Sequence, residues 1–253
     1  MSQSLSRLLL PLLSLTLLAS RPALGASSYA GEFLALGAGA RAVALGGAYT
    51  ALVDDATAGY WNSAALANID ERQVHAMHAQ RFSGLVEHSF VAVAIPSQRL
   101  DGIALSIMRV GVGNIKFTRL PNPNRPPGAN NRPLVSSVET SSDYAVYLSG
   151  GQRLSSRLSV GGSAKLLYRT VGGFNAYGLG LDLAMRYDLA GGVRLALNLR
   201  DATSTPVFWS TDESDSIRPS IVSGLAYARQ LGPGTATVSF GSRAGGEAAD
   251  ESG

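Results

Sequence analysis

The sequence predicts an all-β fold: an antiparallel transmembrane β-barrel preceded by a Gly/Ala-rich N-terminal segment containing short helices. Three observations lead there. From Arg72 onward, hydrophobicity alternates with period two over runs longer than ten residues. The face opposite the apolar one carries Gly, Ala and Ser with spaced Arg and Asp, where an open surface would be richer in Lys and Glu. No apolar run after the N-terminus is long enough for a membrane helix, so a membrane-crossing form of this chain has to be a closed barrel.

The chain opens with the marks of a secretory signal. Arg7 supplies the basic n-region. Leu8–Leu18 is an apolar stretch broken by Pro11 and too short to span a bilayer, and Ala23-Leu24-Gly25 gives a small-x-small cleavage pattern before Ala26. Residues 1–25 are therefore expected to be cleaved rather than kept as an anchor, and the mature chain to be exported. Without Arg7 and Arg21 the 21 basic residues fall to 19, against 18 acidic ones, so the pI near 9.3 carries no nucleic-acid signature. Lys116 and Lys165 are the sole lysines, and the absence of cysteine excludes disulfides and thiolate chemistry.

Gly37 to Leu66 is dense in Gly and Ala. It lacks the charged face of an amphipathic helix and the alternation of a strand. Side chains this small suit backbone packed against other backbone in a confined space. Residues 26–70 are assigned to this N-terminal segment, 71–242 to the strands, and 243–253, ending AGGEAADESG, to a disordered tail.

The alternation places strands at about 72–82, 86–97, 101–110, 137–153, 157–169, 175–189, 192–202, 218–231 and 234–242. In the sixth, Tyr177, Leu179, Leu181, Leu183, Met185 and Tyr187 share one face, and Gly178, Gly180, Asp182, Ala184, Arg186 and Asp188 the other. A soluble sandwich turns such an apolar face inward; a membrane barrel turns it to lipid. Strand lengths beyond ten residues and the bracketing tyrosines favour the barrel. Short connections near 97–101, 154–156, 188–192 and 231–234 alternate with long ones at 119–142 and 201–218, as tight periplasmic turns alternate with outer loops. The first long one holds PNPNRPPGANNRP, too rich in Pro and Asn for a strand. Nine strands is an odd count where a single-chain bacterial barrel takes an even one. Either Gly113–Thr118 is a further strand or the chain is incomplete at its C-terminus, and the second is the expectation.

The chain resembles the PorV/PorQ group of outer-membrane proteins, within the superfamily of the long-chain fatty-acid transporter FadL. The resemblance rests on Gly39-Ala40-Arg41-Ala42, Gly46-Gly47-Ala48, Asp54-Asp55-Ala56 and Tyr60-Trp61-Asn62. A later match covers Gly180-Leu181-Asp182, Asn198, Trp209 and Ile217-Arg218-Pro219 leading to Gly224 and Tyr227. It spans about Leu36 to Leu231. Ser63 stands where the group's signature has proline. The resemblance implies that Ala26 to about Asp70 forms a plug inside a barrel of about fourteen strands. It also implies that several C-terminal strands are missing; members usually end on an aromatic residue, and this chain ends on Gly253.

The hatch-motif residues are then Arg41, Gly46, Gly47, Asp54, Asp55, Trp61 and Asn62. Arg157, Lys165, Arg169, Asp182, Arg186, Arg194 and Arg200 are the lumen-lining candidates. Asp54–Asp55 either cap a short helix near Ala56 or pair with an arginine such as Arg41, Arg169 or Arg186. Trp61 is expected to anchor the hatch to the wall, and Trp209, in a long outer loop, to touch lipid or a partner. Gly37-x-Gly39-x-x-Ala42 matches a loose dinucleotide fingerprint, but no strand precedes it. His75 and His78 fall on opposite faces of a strand, so no metal site is expected. No cofactor or catalytic constellation stands out, and no enzyme is expected.

The expected partners are outer-membrane lipid and either a hydrophobic small-molecule ligand or secretion-system and cargo proteins. The first functional expectation is FadL-like passage of hydrophobic small molecules across the outer membrane; the second is a PorV-like part in protein secretion at the cell surface; the third is a structural or adhesive barrel. An apolar, solvent-excluded pocket beside the hatch would favour passage.

Overall fold

The computed structural model describes residues 29–231 and 234–245. The signal segment 1–25 and residues 246–253 of the expected tail lie outside the described residues. The strands are β1 (Gln73–Arg81), β2 (Val86–Pro96), β3 (Gly102–Arg119), β4 (Leu134–Arg153), β5 (Leu158–Val171), β6 (Phe174–Asp188), β7 (Val193–Arg200), β8 (Thr205–Trp209), β9 (Ser214–Ile217), β10 (Ser220–Leu231) and β11 (Gly234–Gly245). They form one antiparallel sheet, curled into a half-barrel, in the order β1-β2-β3-β4-β5-β6-β7-β10-β11. β8 and β9 make a hairpin that pairs with the start of β6 through Ala176 and Trp209.

All nine strands read from the alternation are present, with four corrections. The segment 113–118 is not a separate strand but continues β3 past a register shift between Val112 and Ile115. The stretch 201–218 carries β8 and β9 instead of being an irregular loop. β11 runs through Arg243 to Gly245, three residues into the expected tail. Short connections also occur at the end of the sheet that bears the long loops, at 82–85 and 172–173, so the alternation of loop lengths is incomplete. The Pro/Asn-rich segment is irregular, as its composition requires; Asn131 ties it down by donating to the carbonyls of Asn122 and Arg125.

Before β1 the chain folds into short pieces: 3₁₀ turns at Tyr29–Ala35 and Ser63–Asn68, and helices α1 (Ala40–Ala44) and α2 (Ala58–Trp61). Gly46 and Gly47, with φ of 63° and 80°, end α1 by returning their N–H groups to the carbonyls of Val43 and Ala42. Asn62 caps the second 3₁₀ turn by accepting from the Ala64 N–H at 3.0 Å. α2 and the second 3₁₀ turn are almost wholly buried against one face of the sheet, whereas α1 buries only Ala42.

That face is cut away where they touch it. Gly102, Gly151 and Gly161 stand directly opposite one another on β3, β4 and β5. A Cβ at Gly102 would lie 2.1 Å from the Leu66 carbonyl oxygen, one at Gly151 2.5 Å from that of Ser63, and one at Gly161 2.4 Å from the Ser63 carbonyl carbon. Three aligned glycines thus form a saddle for the turn Ser63–Asn68, backbone against backbone. Gly161→Val is expected to cost at least about 1–3 kcal/mol through overpacking. Its neighbour Gly162 points the other way, with no atom nearer than 3.6 Å to a Cβ there. Gly162→Ala is expected to stay within about 1 kcal/mol of the parent, both variants being read by denaturant unfolding.

Candidate functional site

Where the N-terminal segment meets the inner face of the sheet, most contacts follow one pattern: sheet side chains donate to carbonyl groups of the segment. Ser149 and Ser163 reach the Gly59 carbonyl at 3.1 and 3.3 Å. Asn198 donates to that of Trp61 at 2.9 Å and Arg194 to that of Ala51 at 3.1 Å. Arg153 takes Ala67 at 3.0 Å, Arg81 takes Leu36 at 3.3 Å, and Arg200 takes Tyr60 at 3.5 Å. One contact runs the other way, from the Asn62 amide to the Met185 carbonyl at 3.2 Å. Segments of short or broken helix leave carbonyls without internal partners, and these donors satisfy them.

Beside these contacts lies a buried ion cluster. The Lys165 ammonium sits 2.7 Å from both Asp182 and Asp201, at 2% exposure. Asp182 also accepts from the Asp201 backbone N–H at 2.7 Å, and Thr205 donates to Asp201 at 2.6 Å. The Arg200 guanidinium, also buried, stacks over Tyr60 at 4.8 Å and Trp61 at 5.8 Å. Two cations and two carboxylates balance, and each is hydrogen-bonded, the condition for burying charge. Gly180 makes the space: a Cβ there would lie 2.0 Å from the Thr205 hydroxyl and 2.8 Å from Lys165 Cε. A cavity of about 10 Å³ remains among Leu34, Tyr60, Tyr147, Lys165, Arg200 and Ile217. That is room for a single water-sized particle.

An aromatic cluster completes the interface. Tyr60 meets Trp61, Phe90 and Tyr147 edge-on at 5.0, 6.1 and 5.9 Å, and Tyr49 meets Trp61 at 5.9 Å. The Trp61 indole donates to Ala38 at 2.7 Å, and the Tyr60 hydroxyl donates to Leu34 at 2.5 Å. Trp61 thus folds the segment on itself through its ring, while its carbonyl holds the sheet through Asn198.

The acidic pair divides its two expected roles. Asp54 pairs with Arg41 at 2.9 Å, on an exposed flank. Asp55 accepts from the Thr57 N–H at 2.8 Å, an Asx-type turn leading into α2. Between them the buried Tyr49 hydroxyl lies 3.4 Å from each carboxylate. Burial, and then the charges of Asp55 and Asp54, push its phenol well above the ordinary value near 10.

Of the lumen candidates, Lys165, Asp182 and Arg200 come together. Arg186 and Arg194 share Asp188 at 3.2 and 2.8 Å. Arg169 pairs with Asp143 at 2.8 Å and stacks between Phe33 and Trp209. Arg157 does not belong: β5 begins at Leu158, and Arg157 is exposed in the turn before it, although its parity matches. Trp209 is also corrected, since it sits on β8 and packs against the core. Sequence reading missed Asp201, Thr205 and Tyr147, and named Tyr60 only within the Tyr60-Trp61-Asn62 motif. The alternation marks Tyr147 as inner only once the phase of β4 is known; Asp201 sits in a turn that carries no periodic signal. His75 and His78 fall on opposite faces of β1. His88, fully buried on β2, finds no partner for either ring nitrogen among the described residues.

No family model matches this chain, and no curated protein and no solved structure matches it.

Lys165→Met strands two carboxylates against Arg200 alone, and a loss of about 3–5 kcal/mol in unfolding free energy is expected. Adding Asp201→Asn should restore part of that loss, a coupling a double-mutant cycle reads directly. Tyr49 gives a pH signature. Below pH 10 its phenol is protonated both folded and unfolded. Above pH 10 the unfolded chain releases the proton while the folded chain keeps it, so stability falls as pH rises. Tyr49→Phe should make the fall above pH 10 shallower than in the parent.

Proposed function

We propose that this chain is an outer-membrane β-barrel protein of the PorV/PorQ kind in the FadL superfamily, with the sheet as its membrane wall and residues 29–70 as its plug. The inverted polarity of the sheet carries this reading. Directly opposed outer-face residues form unbroken apolar rows. One runs Ala76, Val91, Ile107, Val146, Leu166, Leu179; the next runs Val74, Val93, Leu105, Leu148, Ala164, Leu181. Leu179 is 62% exposed while Lys165, one strand away on the other face, is 2% exposed. A water-soluble sheet shows the reverse, and soluble proteins rarely expose an apolar area this wide.

The dimensions agree. Tyr177 to Tyr187 spans about 34 Å along the strand. A tilt of about 40° reduces that to about 25 Å, the height of the apolar band of an outer-membrane barrel. Above the apolar rows lies one of a different kind: His78, Ser89, Arg109, Tyr144, Tyr168, Tyr177. Polar and aromatic groups of this kind suit the headgroup level. β1 and β11 are the two ends of a nine-strand antiparallel path and so run parallel. Unpaired edges are not tolerated in hydrocarbon, and all-antiparallel closure takes an odd number of further strands, whichever chain supplies them.

Of the two expected activities, the packing of the plug favours the PorV-like one, a barrel that handles exported cargo proteins at its surfaces. The gap beside the plug holds about 10 Å³ and is lined by charge, against roughly 300–1,000 Å³ of mainly apolar lining for a small-molecule site. FadL-like passage would first have to break the contacts of Arg200, Asn198, Arg194 and Arg153 to the plug. Purified protein is expected to show no saturable binding of a labelled long-chain fatty acid; stoichiometric, saturable binding would return the assignment to passage. The membrane assignment has its own test. Leu181→Arg on the outer face should cost about 2–4 kcal/mol in a bilayer. A change within about 0.5 kcal/mol, or recovery of the mature chain soluble without detergent, would contradict it.

A further inference from the structure

On the outer face, just above the apolar rows, the β1–β2 hairpin stops while β3 and β4 continue as a two-stranded ribbon. The step leaves a depression of about 150 Å³ lined by Leu85, Glu87, Arg109, Gly111, Gly113 and Thr140. Arg109 and Glu87 pair across it at 3.0 Å, with side chains 33% and 44% exposed. Arg109 is braced from behind: its Nε donates to the Tyr144 hydroxyl at 3.2 Å and one terminal nitrogen to Ser142 at 3.4 Å. These bonds leave part of the guanidinium fork open to the depression. Gly111 keeps the floor clear, since a Cβ there would lie 2.8 Å from Arg109 Nη2. Leu85, 59% exposed, forms an apolar rim.

We propose that this depression binds the headgroup of a bilayer lipid carrying both a phosphate and a primary ammonium. Arg109 takes the phosphate through its planar donor fork, and Glu87 takes the ammonium. A lone anion would meet the Glu87 carboxylate, so the paired charges select a zwitterion over a purely anionic headgroup. The acyl chains then descend along Val91, Ile107 and Val146, which continue the same outer face. The inference rests on the membrane reading of the sheet.

The test uses the full mature chain in vesicles of equimolar phosphatidylethanolamine, phosphatidylglycerol and phosphatidylcholine, with co-purifying lipid counted by native mass spectrometry. Phosphatidylethanolamine should be retained at least about fivefold over the other two, the scale of one or two partly exposed charge contacts. Arg109→Gln and Glu87→Gln should each abolish that preference. Gly113→Leu gives an independent variant: Gly113 lines the depression and a Cβ there meets nothing within 4 Å, so the substitution adds bulk at its wall without a clash. It too should abolish retention. Equal retention of the three lipids, a preference for phosphatidylglycerol, or displacement by soluble phosphoethanolamine at matched concentration would overturn the proposal. Failure of the chain to enter vesicles at all would instead overturn the membrane reading on which it stands.

Discussion

Donors on the inner face of the sheet need acceptors, and the carbonyl groups of residues 29–70 supply them. Ser149, Ser163, Asn198 and Arg200 point away from the apolar face and are buried beneath the segment, so covering them without its carbonyls would leave their donors unpaired; Arg153 and Arg194 reach it from the margins. An unpaired buried donor costs about 1–3 kcal/mol, and more when charged. The segment needs the sheet in turn, because helices of four and five residues cannot stand alone in water. The composition of each follows from this mutual need. Recognition through main-chain carbonyls asks little of the segment's side chains beyond smallness, which explains its run of Gly and Ala. Close approach asks for glycine on the sheet, which explains Gly102, Gly151 and Gly161.

The ion cluster belongs to the same logic. Lys165 is one of two lysines in a chain whose cations are otherwise arginine, and it is among the most buried residues. It joins β5 to Asp182 on β6 and to Asp201 at the foot of the connection bearing β8 and β9. That connection packs on the segment, with Ile217 close against Gly31. Sheet, segment and connection therefore converge on one charge-balanced core, which accounts for the small space left beside it.

The alternation made the strands legible because each inner row differs chemically from its outer neighbour. It gave β2 to within one residue and placed Lys165, Asp182, Arg186 and Arg200 on one face. It failed where period two is broken or too brief. Asn114, with a φ of 58°, and the register shift around it hid the continuation of β3. β8 and β9 are too short to show a period. Arg157 has the parity of the inner face but sits in a turn, where parity has no meaning. Asp201, held in a left-handed turn at φ 54°, completes the ion cluster through a contact that only the fold brings together. The division of Asp54 and Asp55 between an ion pair and a turn likewise depends on where Arg41 and Thr57 lie in space.

We propose that one face of this sheet meets lipid while its own N-terminal segment covers the other. The chain has no cysteine, so single cysteines can be placed along β6 from Tyr177 to Asp188 and spin-labelled without background. Collision with oxygen, which concentrates in lipid, and with a water-soluble nickel complex then reads the surroundings of each position in a bilayer. High oxygen and low nickel access is expected at 179, 181, 183 and 185. At 184 access to both should be low; 180 and 182 stay unlabelled, because a side chain at Gly180 would meet Thr205 and Asp182 holds Lys165. Nickel access at the odd positions equal to that of an exposed loop would contradict it.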